Sequence, residues 1–351
     1  MSAAATPDAT VSRWPSRLRA HPLFWPLATL AVLLLGNGLF DPGFLSLQWR
    51  DGHLYGNLVD IGNRAAPLAL VAMGMTLVIA VRGLDISVGA VVAIAATVAA
   101  WMIGGGEHSR FALWAVLLAP LLVAALCGLW NGLLVVKVGM QPIIATLILM
   151  VAGRGIAQLI GDGQILTIYY PPYFYLGNGF LLGLPFALFV VAAVFVVLQL
   201  LLGRTALGLF VRAIGHNPRA ARVAGVRARS IAVLLYVFCA FSAGLAGLLI
   251  SANVKSADAN NAGQLMELDA ILAVTLGGTL LDGGRFSLAG SVIGALIIQT
   301  LTATIYAFGV PAQVTMLIKA LLVFAVMLLQ SPTFRAHLRG WIRRPPPQVR
   351  P

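Results

Sequence analysis

Charge is what this chain has least of. Asp, Glu, Lys and Arg together make up 10% of its 351 residues, only 11 residues are acidic, and 60% are hydrophobic, with a mean hydropathy of +0.94. An ordinary soluble domain is not so poor in ions, so the sequence reads as a polytopic membrane protein. Lysine is scarcer still. Lys137, Lys255 and Lys319 are the only three and none follows a glycine, which excludes the GxxxxGK[ST] phosphate loop and nucleotide binding by that route. HExxH, GxSxG and Cys/His metal spacings are also missing, which counts against a membrane enzyme. The two cysteines, Cys127 and Cys239, lie inside apolar runs, where packing is expected and a disulfide or metal pair is not. A net charge of +12 does not mark a nucleic-acid binder, because the basic residues sit in short loops without interleaved aromatics.

Apolar runs are what the chain has in plenty. A crossing takes about 20 apolar residues. By that measure ten candidate spans run over 23–40, 65–81, 88–103, 111–136, 142–160, 180–202, 231–252, 268–281, 286–308 and 314–330. The expected fold is an all-α polytopic membrane protein of about ten transmembrane helices, with both termini cytoplasmic. Residues 1–22 form a basic, Ala/Ser/Thr/Pro-rich tail expected to be disordered, 23–330 the transmembrane domain, and 331–351 a second basic tail. A basic start before an apolar run also fits a signal peptide, but no small-residue cleavage site follows, so the first run reads as an uncleaved span.

Charge sorts the loops independently of hydropathy. The proposed inner segments carry 17 of the 23 basic residues, the outer segments only Arg50, Arg64, Arg110 and Lys255, and Arg154 and Lys319 fall within spans. Eight of the 11 acidic residues lie outside. This is the asymmetry expected when Lys and Arg are retained on the cytoplasmic side.

One polar island stands on the inner side. Residues 204–230, RTALGLFVRAIGHNPRAARVAGVRARS, hold six arginines and no acid. Asn217 suits a helix N-cap, Pro218 the first helical position and Gly225 the left-handed residue past the end, which together bound a short helix. With little apolar surface to bury in lipid, such a helix fits a protein partner. A solvated positive-inside loop is the other reading.

Polar groups inside spans cost about 3 kcal/mol on insertion scales and call for a partner or a task. Arg154, in ATLILMVAGRGIAQLI, lies roughly 9 Å from the outer end with Gln158 one turn on. Snorkelling, a structural pairing and a place in a transport path are its three readings. Lys319 is at similar depth, with snorkelling or a path role open to it. Asn131, in GLWNGLL, fits a hydrogen bond between helices or the lining of a sugar-sized passage. Glu267 and Asp269 at a helix start would diverge by about 200°, which favours stabilisation of the helix N-terminus over paired acid/base chemistry. Gly290 and Gly294 stand at GxxxG spacing, which permits close helix packing. Two inner hairpins, Gly74 to Ala90 and Gly277 to Gly290, share a Thr-Leu, a glycine-flanked charged turn and a Ser, and hint at an internal repeat.

The segments NRAAPLALVAMGMTLVIAVRGLDISVG, GLWNGLLV, QPIIATLILMVAGRG, AIGHNPRAARVAG and ELDAILAVTLGGTLLDGG, in order over 57–330, resemble the permease subunits of bacterial sugar ABC importers of the ribose/galactose/xylose type. Within that family NRAAP, TLILMVAGRG and ADANNAG followed by ELDAILAV are most like members that import galactofuranose. The resemblance implies an inner-membrane permease that pairs with a second permease, homo- or heterodimeric, around a path for a small sugar. It implies a cytoplasmic ABC ATPase subunit and a periplasmic sugar-binding protein as partners, membrane lipid around the spans, and no cofactor on this chain, ATP and Mg being held by the ATPase. The central loop would supply the coupling element: Asn217 to Gly225 as the helix seated in an ATPase groove, with Arg212, Gly215, Asn217, Arg219, Ala220, Arg222 and Gly225 as its residues. Asn131, Arg154, Gln158 and Lys319 are candidates for the path. Arg50, Arg64, Arg110 and Lys255 are candidates for docking the binding protein. One departure stands out: the family's usual GGTSL reads GGTLL here, with Leu280 in place of Ser, and Asp282 adds a charge. A sister permease for branched-chain amino acids or another solute, an ion-coupled secondary transporter and a membrane glycosyltransferase are the competing readings. A secondary transporter would need carboxylates within the membrane, whereas every acid here falls in or beside a loop.

Overall fold

The computed structural model describes residues 23–41 and 43–330; both expected tails, 1–22 and 331–351, lie outside the described residues. In chain order the helices are α1 (Phe24–Phe40), α2 (Asn57–Ala80), α3 (Val88–Ile103), α4 (Leu113–Leu133), α5 (Pro142–Ile160), α6 (Pro171–Asn178), α7 (Phe186–Arg204), α8 (Ala206–His216), α9 (Pro218–Val223), α10 (Ala228–Val254), α11 (Met266–Leu276), α12 (Leu288–Ala307) and α13 (Ala312–Gln330). Three two-stranded antiparallel ribbons decorate the loops: β1 (Gln48–Arg50) with β2 (His53–Tyr55), β3 (Leu166–Thr167) with β6 (Ser256–Ala257), and β4 (Phe180–Leu181) with β5 (Leu184–Pro185). Each of the ten apolar stretches contains a helix, and among the described residues six helices, α2, α4 with its extension, α5, α7, α10 and α12, are long and apolar enough to cross a membrane. The chain is a helical polytopic membrane protein.

The interior is built by α2, α3, α10 and α12. In the most apolar part of α2, 83% of residues are buried, against 22% for α4 and α7. Lipid tails give helices little hydrophobic reason to associate, so close packing must hold them, and small residues allow it. A Cβ on Gly74 of α2 would lie 2.8 Å from the Cys239 Cα of α10, and one on Gly128 of α4 would lie 2.7 Å from the Val237 Cα of the same helix. Polar side chains add stitches: the Thr76 and Ser291 hydroxyls are hydrogen-bonded at 2.6 Å between α2 and α12, and Asn37 Nδ2 donates to Thr304 Oγ1 at 2.8 Å between α1 and α12. On α4 the exposed residues Trp114, Leu118, Leu122 and Leu126 recur every fourth position, a stripe turned outward where a membrane would solvate it.

Several boundaries differ from the hydropathy reading. α2 starts at Asn57, where the apolar run starts at residue 65, so Arg64 belongs to the helix and not to a loop. Residues 180–185 fold as a hairpin with Leu182 and Gly183 at positive φ, and α7 begins only at Phe186. The run at 268–281 yields just the 11-residue α11 before Gly277. α4 continues as a π-helical turn, Leu134–Val138. The helices α6 and α8 have no counterpart in the hydropathy reading. Hydropathy finds where apolar side chains are, whereas helix ends follow caps and glycines.

Candidate functional site

The arginine island folds as two helices set end to end. Thr205 Oγ1 caps α8 by accepting from Leu207 N at 3.2 Å. Gly208, Val211, Ile214 and Gly215 bury one face of that helix, the spacing of an amphipathic element lying on a bundle. Asn217 then starts α9, its Oδ1 accepting from Arg219 N at 3.0 Å and Ala220 N at 3.1 Å, with Pro218 in the first turn and Gly225 at φ +84° beyond the end. Ala221 packs inward while Arg219, Ala220 and Arg222 are exposed. The outcome is a short, capped helix that presents two guanidinium groups. Arg212 lies over the Phe286 ring, 5.7 Å from its centroid, which ties α8 to the turn before α12.

This unit is fastened to the core by a residue of the inner hairpin Gly74 to Ala90. Arg82, directly after α2 and at φ +65°, donates from Nε to the Gly215 carbonyl at 2.7 Å and from a terminal nitrogen to the His216 carbonyl at 2.8 Å. These are the unpaired last carbonyls of α8, where a cation also meets the negative end of the helix dipole. Gly284 N donates to the Ala80 carbonyl at 2.9 Å, and a Cβ on Gly215 would run into Ala80 O and Gly284 N. The end of α2, the end of α8 and the turn between α11 and α12 therefore meet in one knot.

The four path candidates are not brought together. Asn131 is fully buried, donating from Nδ2 to Ser87 Oγ at 2.8 Å and Asp85 Oδ1 at 3.3 Å, so it joins α4 to the turn between α2 and α3. Arg154 and Gln158 hold the loop before α11: Arg154 donates to the Ala259 and Ala262 carbonyls at 3.0 and 2.6 Å, and Gln158 Nε2 donates to Asn260 Oδ1 at 2.5 Å. Within the same loop Asp258 accepts from the Asn261 side chain and from the Asn260 and Asn261 amides, and the Asn261 hydrogen bond above all holds its carboxyl below the usual range. Lys319 lines a cavity. Its Nζ pairs with Asp269 Oδ2 at 2.6 Å on the wall of a space of about 500 Å³ that Gln264, Thr302 and Tyr306 also border. Glu267, by contrast, is buried and turned toward Gly89, so the two acids of the α11 start do diverge.

Burial also revises one premise. Asp85 lies in a turn by sequence, yet it is 0% exposed, as Glu267 is 3% exposed; position beside a loop does not keep these carboxyls in solvent. The four docking candidates differ among themselves. Arg50 is exposed on β1, Arg110 is exposed between α3 and α4, and Lys255, at φ +58°, stacks over Phe174 at 4.8 Å. Arg64 borders two cavities together with Gln299.

A family profile described as "Branched-chain amino acid transport system / permease component" matches residues 57–327. The chain is 47% identical over 339 residues to the galactofuranose transporter permease protein YtfT of Escherichia coli (strain K12), covering 95% of this chain and 96% of that protein. It is 38% identical over 323 residues to the fructose import permease protein FruF of Bifidobacterium longum (strain NCC 2705), covering 90% and 89%. It is 34% identical over 306 residues to the ribose import permease protein RbsC of Bacillus subtilis (strain 168), covering 87% and 91%. No solved structure matches. With a profile that spans most of the helical bundle and relatives aligned almost end to end, the chain belongs to the branched-chain amino acid transport system / permease component family.

Proposed function

We propose that this chain is the membrane permease subunit of an ATP-driven ABC importer in a bacterial inner membrane, and that it passes a monosaccharide, galactofuranose or a related pentose or hexose. The observation that carries the reading is the 47% identity over 95% of the chain to a permease named for galactofuranose. The family description names branched-chain amino acids, which keeps a sister permease for those solutes as the second reading; relatives at 34–47% identity named for sugars weigh toward sugar.

In this reading about ten helices cross the membrane, both tails are cytoplasmic, and two permeases pair around the path. The chain binds no nucleotide; ATP and Mg belong to the partner ATPase. Its α9 sits in a groove of that ATPase, with Arg212, Arg219 and Arg222 facing acidic groups. ATP binding closes the ATPases, α9 moves with α8, and Arg82 carries the motion to α2, the best-packed helix of the bundle. Arg50, Arg64, Arg110 and Lys255 face the periplasmic binding protein. Lys319 with Asp269 borders the path, while Arg154 and Gln158 shape its outer mouth by holding the 258–262 loop.

The test is ATP hydrolysis by the chain in lipid with its partner ATPase, with and without sugar-loaded binding protein, repeated for Arg219→Glu. Stimulation by the loaded binding protein that Arg219→Glu abolishes, with the protein still folded, supports importer and coupling helix together. Solute uptake by this chain alone, driven by an ion gradient, would overturn the reading.

A further inference from the structure

We propose that Asp85 is a proton-binding site: it stands as a carboxylic acid, with its proton shared with the carboxamide of Asn131. Asp85 and Asn131 are both 0% exposed. All three hydrogen bonds to Asp85 fall on Oδ1, from Ser87 N at 3.0 Å, Ser87 Oγ at 2.6 Å and Asn131 Nδ2 at 3.3 Å. Asp85 Oδ2 and Asn131 Oδ1 are left, and both are buried acceptors without a donor.

A carboxylic acid and a carboxamide pair through two hydrogen bonds, amide N–H to acid carbonyl and acid O–H to amide carbonyl. The first is present here, from Asn131 Nδ2 to Asp85 Oδ1. The two orphaned oxygens are the atoms that the second would use. An ionised Asp85 would bury a charge and leave both acceptors empty, whereas one proton on Oδ2 neutralises the charge and supplies the missing donor.

The surroundings offer no other compensation. In its own turn Arg82 is committed to the Gly215 and His216 carbonyls. α4 contributes Cys127, and α10 contributes Cys239 and Tyr236, whose hydroxyl donates to the Leu84 carbonyl at 3.3 Å. α5 contributes Thr146, which accepts from Ile86 N at 3.2 Å. Among the described residues the one ion pair is Lys319 with Asp269, so no cation answers Asp85. Burial pushes its carboxyl upward, against the pull of the Ser87 and Asn131 hydrogen bonds.

A neutral pair can seal the seam between the α2–α3 turn and α4 only while water is kept out. Water at Oδ2 would solvate the carboxylate and release the proton, so proton occupancy follows closure of that seam.

Infrared spectroscopy of the full chain in lipid at neutral pH tests this. The expected result is a protonated-carboxyl C=O band that shifts when the aspartate carboxyls are labelled with ¹³C and disappears in Asp85→Asn. Asp85→Asn should melt within roughly 3 °C of wild type, because its amide N–H replaces the acid O–H. A carboxyl protonated in the folded chain and ionised in the unfolded one makes stability fall as pH rises, so the wild-type melting temperature should fall with rising pH through the neutral range, Asp85→Asn should lose that slope, and Asn131→Asp, which builds an acid–acid pair, should steepen it. A wild-type spectrum without a label-sensitive carboxylic-acid band would overturn the proposal without requiring any variant to fold. So would a band that survives Asp85→Asn, or a wild type that sodium or potassium chloride stabilises and Asp85→Asn that it does not, which would mark an ionised carboxylate holding a cation.

Discussion

Arg82 reaches 2.7 Å from its Nε to the backbone carbonyl of Gly215, a residue 133 positions further along the chain. The bond makes the last turn of α8 part of the same body as the end of α2. Hydrogen bonds from a charged donor are worth about 1.5–3 kcal/mol, and exposure lowers that. Arg82→Ala should therefore leave the bundle folded, keep most ATP hydrolysis by the partner, and cut sugar uptake per ATP by about tenfold. Uptake and hydrolysis measured on the same vesicles check it; an unchanged ratio would remove Arg82 from the transmission route.

Asn217→Ala removes the side chain that caps α9. Losing a cap costs about 1 kcal/mol, a large share of what holds a six-residue helix. Hydrogen exchange at residues 219–223 should rise several-fold, with little change in the spans, and Asn217→Asp should restore protection.

These two cases differ in how far the sequence could show them. Asn217, Pro218 and Gly225 announce α9 because caps and left-handed glycines are local chemistry. The Arg82 bonds go to main-chain oxygens, which carry no residue identity, so no sequence pattern betrays them. Asn131 was readable as an interhelical polar group, but its partner Asp85 was hidden by a turn that looks solvated and folds inward. Arg154 likewise announced that it needed partners, and the partners again proved to be carbonyls. The apolar stretches gave the helices reliably, because about 20 apolar residues leave little else to form in lipid. They did not give the starts of α2 and α7, where polar or hairpin residues adjoin the run.

Asp258 gives the 258–262 loop a pH dependence. Its carboxyl lies below the usual carboxylate range because Asn261 and two backbone amides stabilise the charged form. The associated stability is thus fully present above the ordinary pKa of about 3.9 and lost as pH falls through the lower folded value. Exchange protection of residues 260–262 should decline only below that ordinary pKa, and Asp258→Asn should remove the dependence.

Lys319 and Asp269 form a largely shielded pair on a cavity wall. Removing either partner leaves the other charge facing an apolar space, so Lys319→Met and Asp269→Asn should each destabilise the chain. Their double mutant should recover at least about 1 kcal/mol of the summed losses. Thermal melts of the four-member cycle in detergent decide it; strict additivity would mean the pair does not interact.

The seam between α2 and α10 carries its own gauge. Cys239 is free, wholly buried, and placed where Gly74 lets the two helices touch. A water-soluble maleimide can reach that sulfur only while the helices are parted, so its labelling rate counts the openings of the seam. Cys127, also free, lies within the α4 span, so labelling of Cys127 can be separated from that of Cys239 by the Cys127→Ala variant. A native thiol can thus report how often the core of the bundle breathes during turnover.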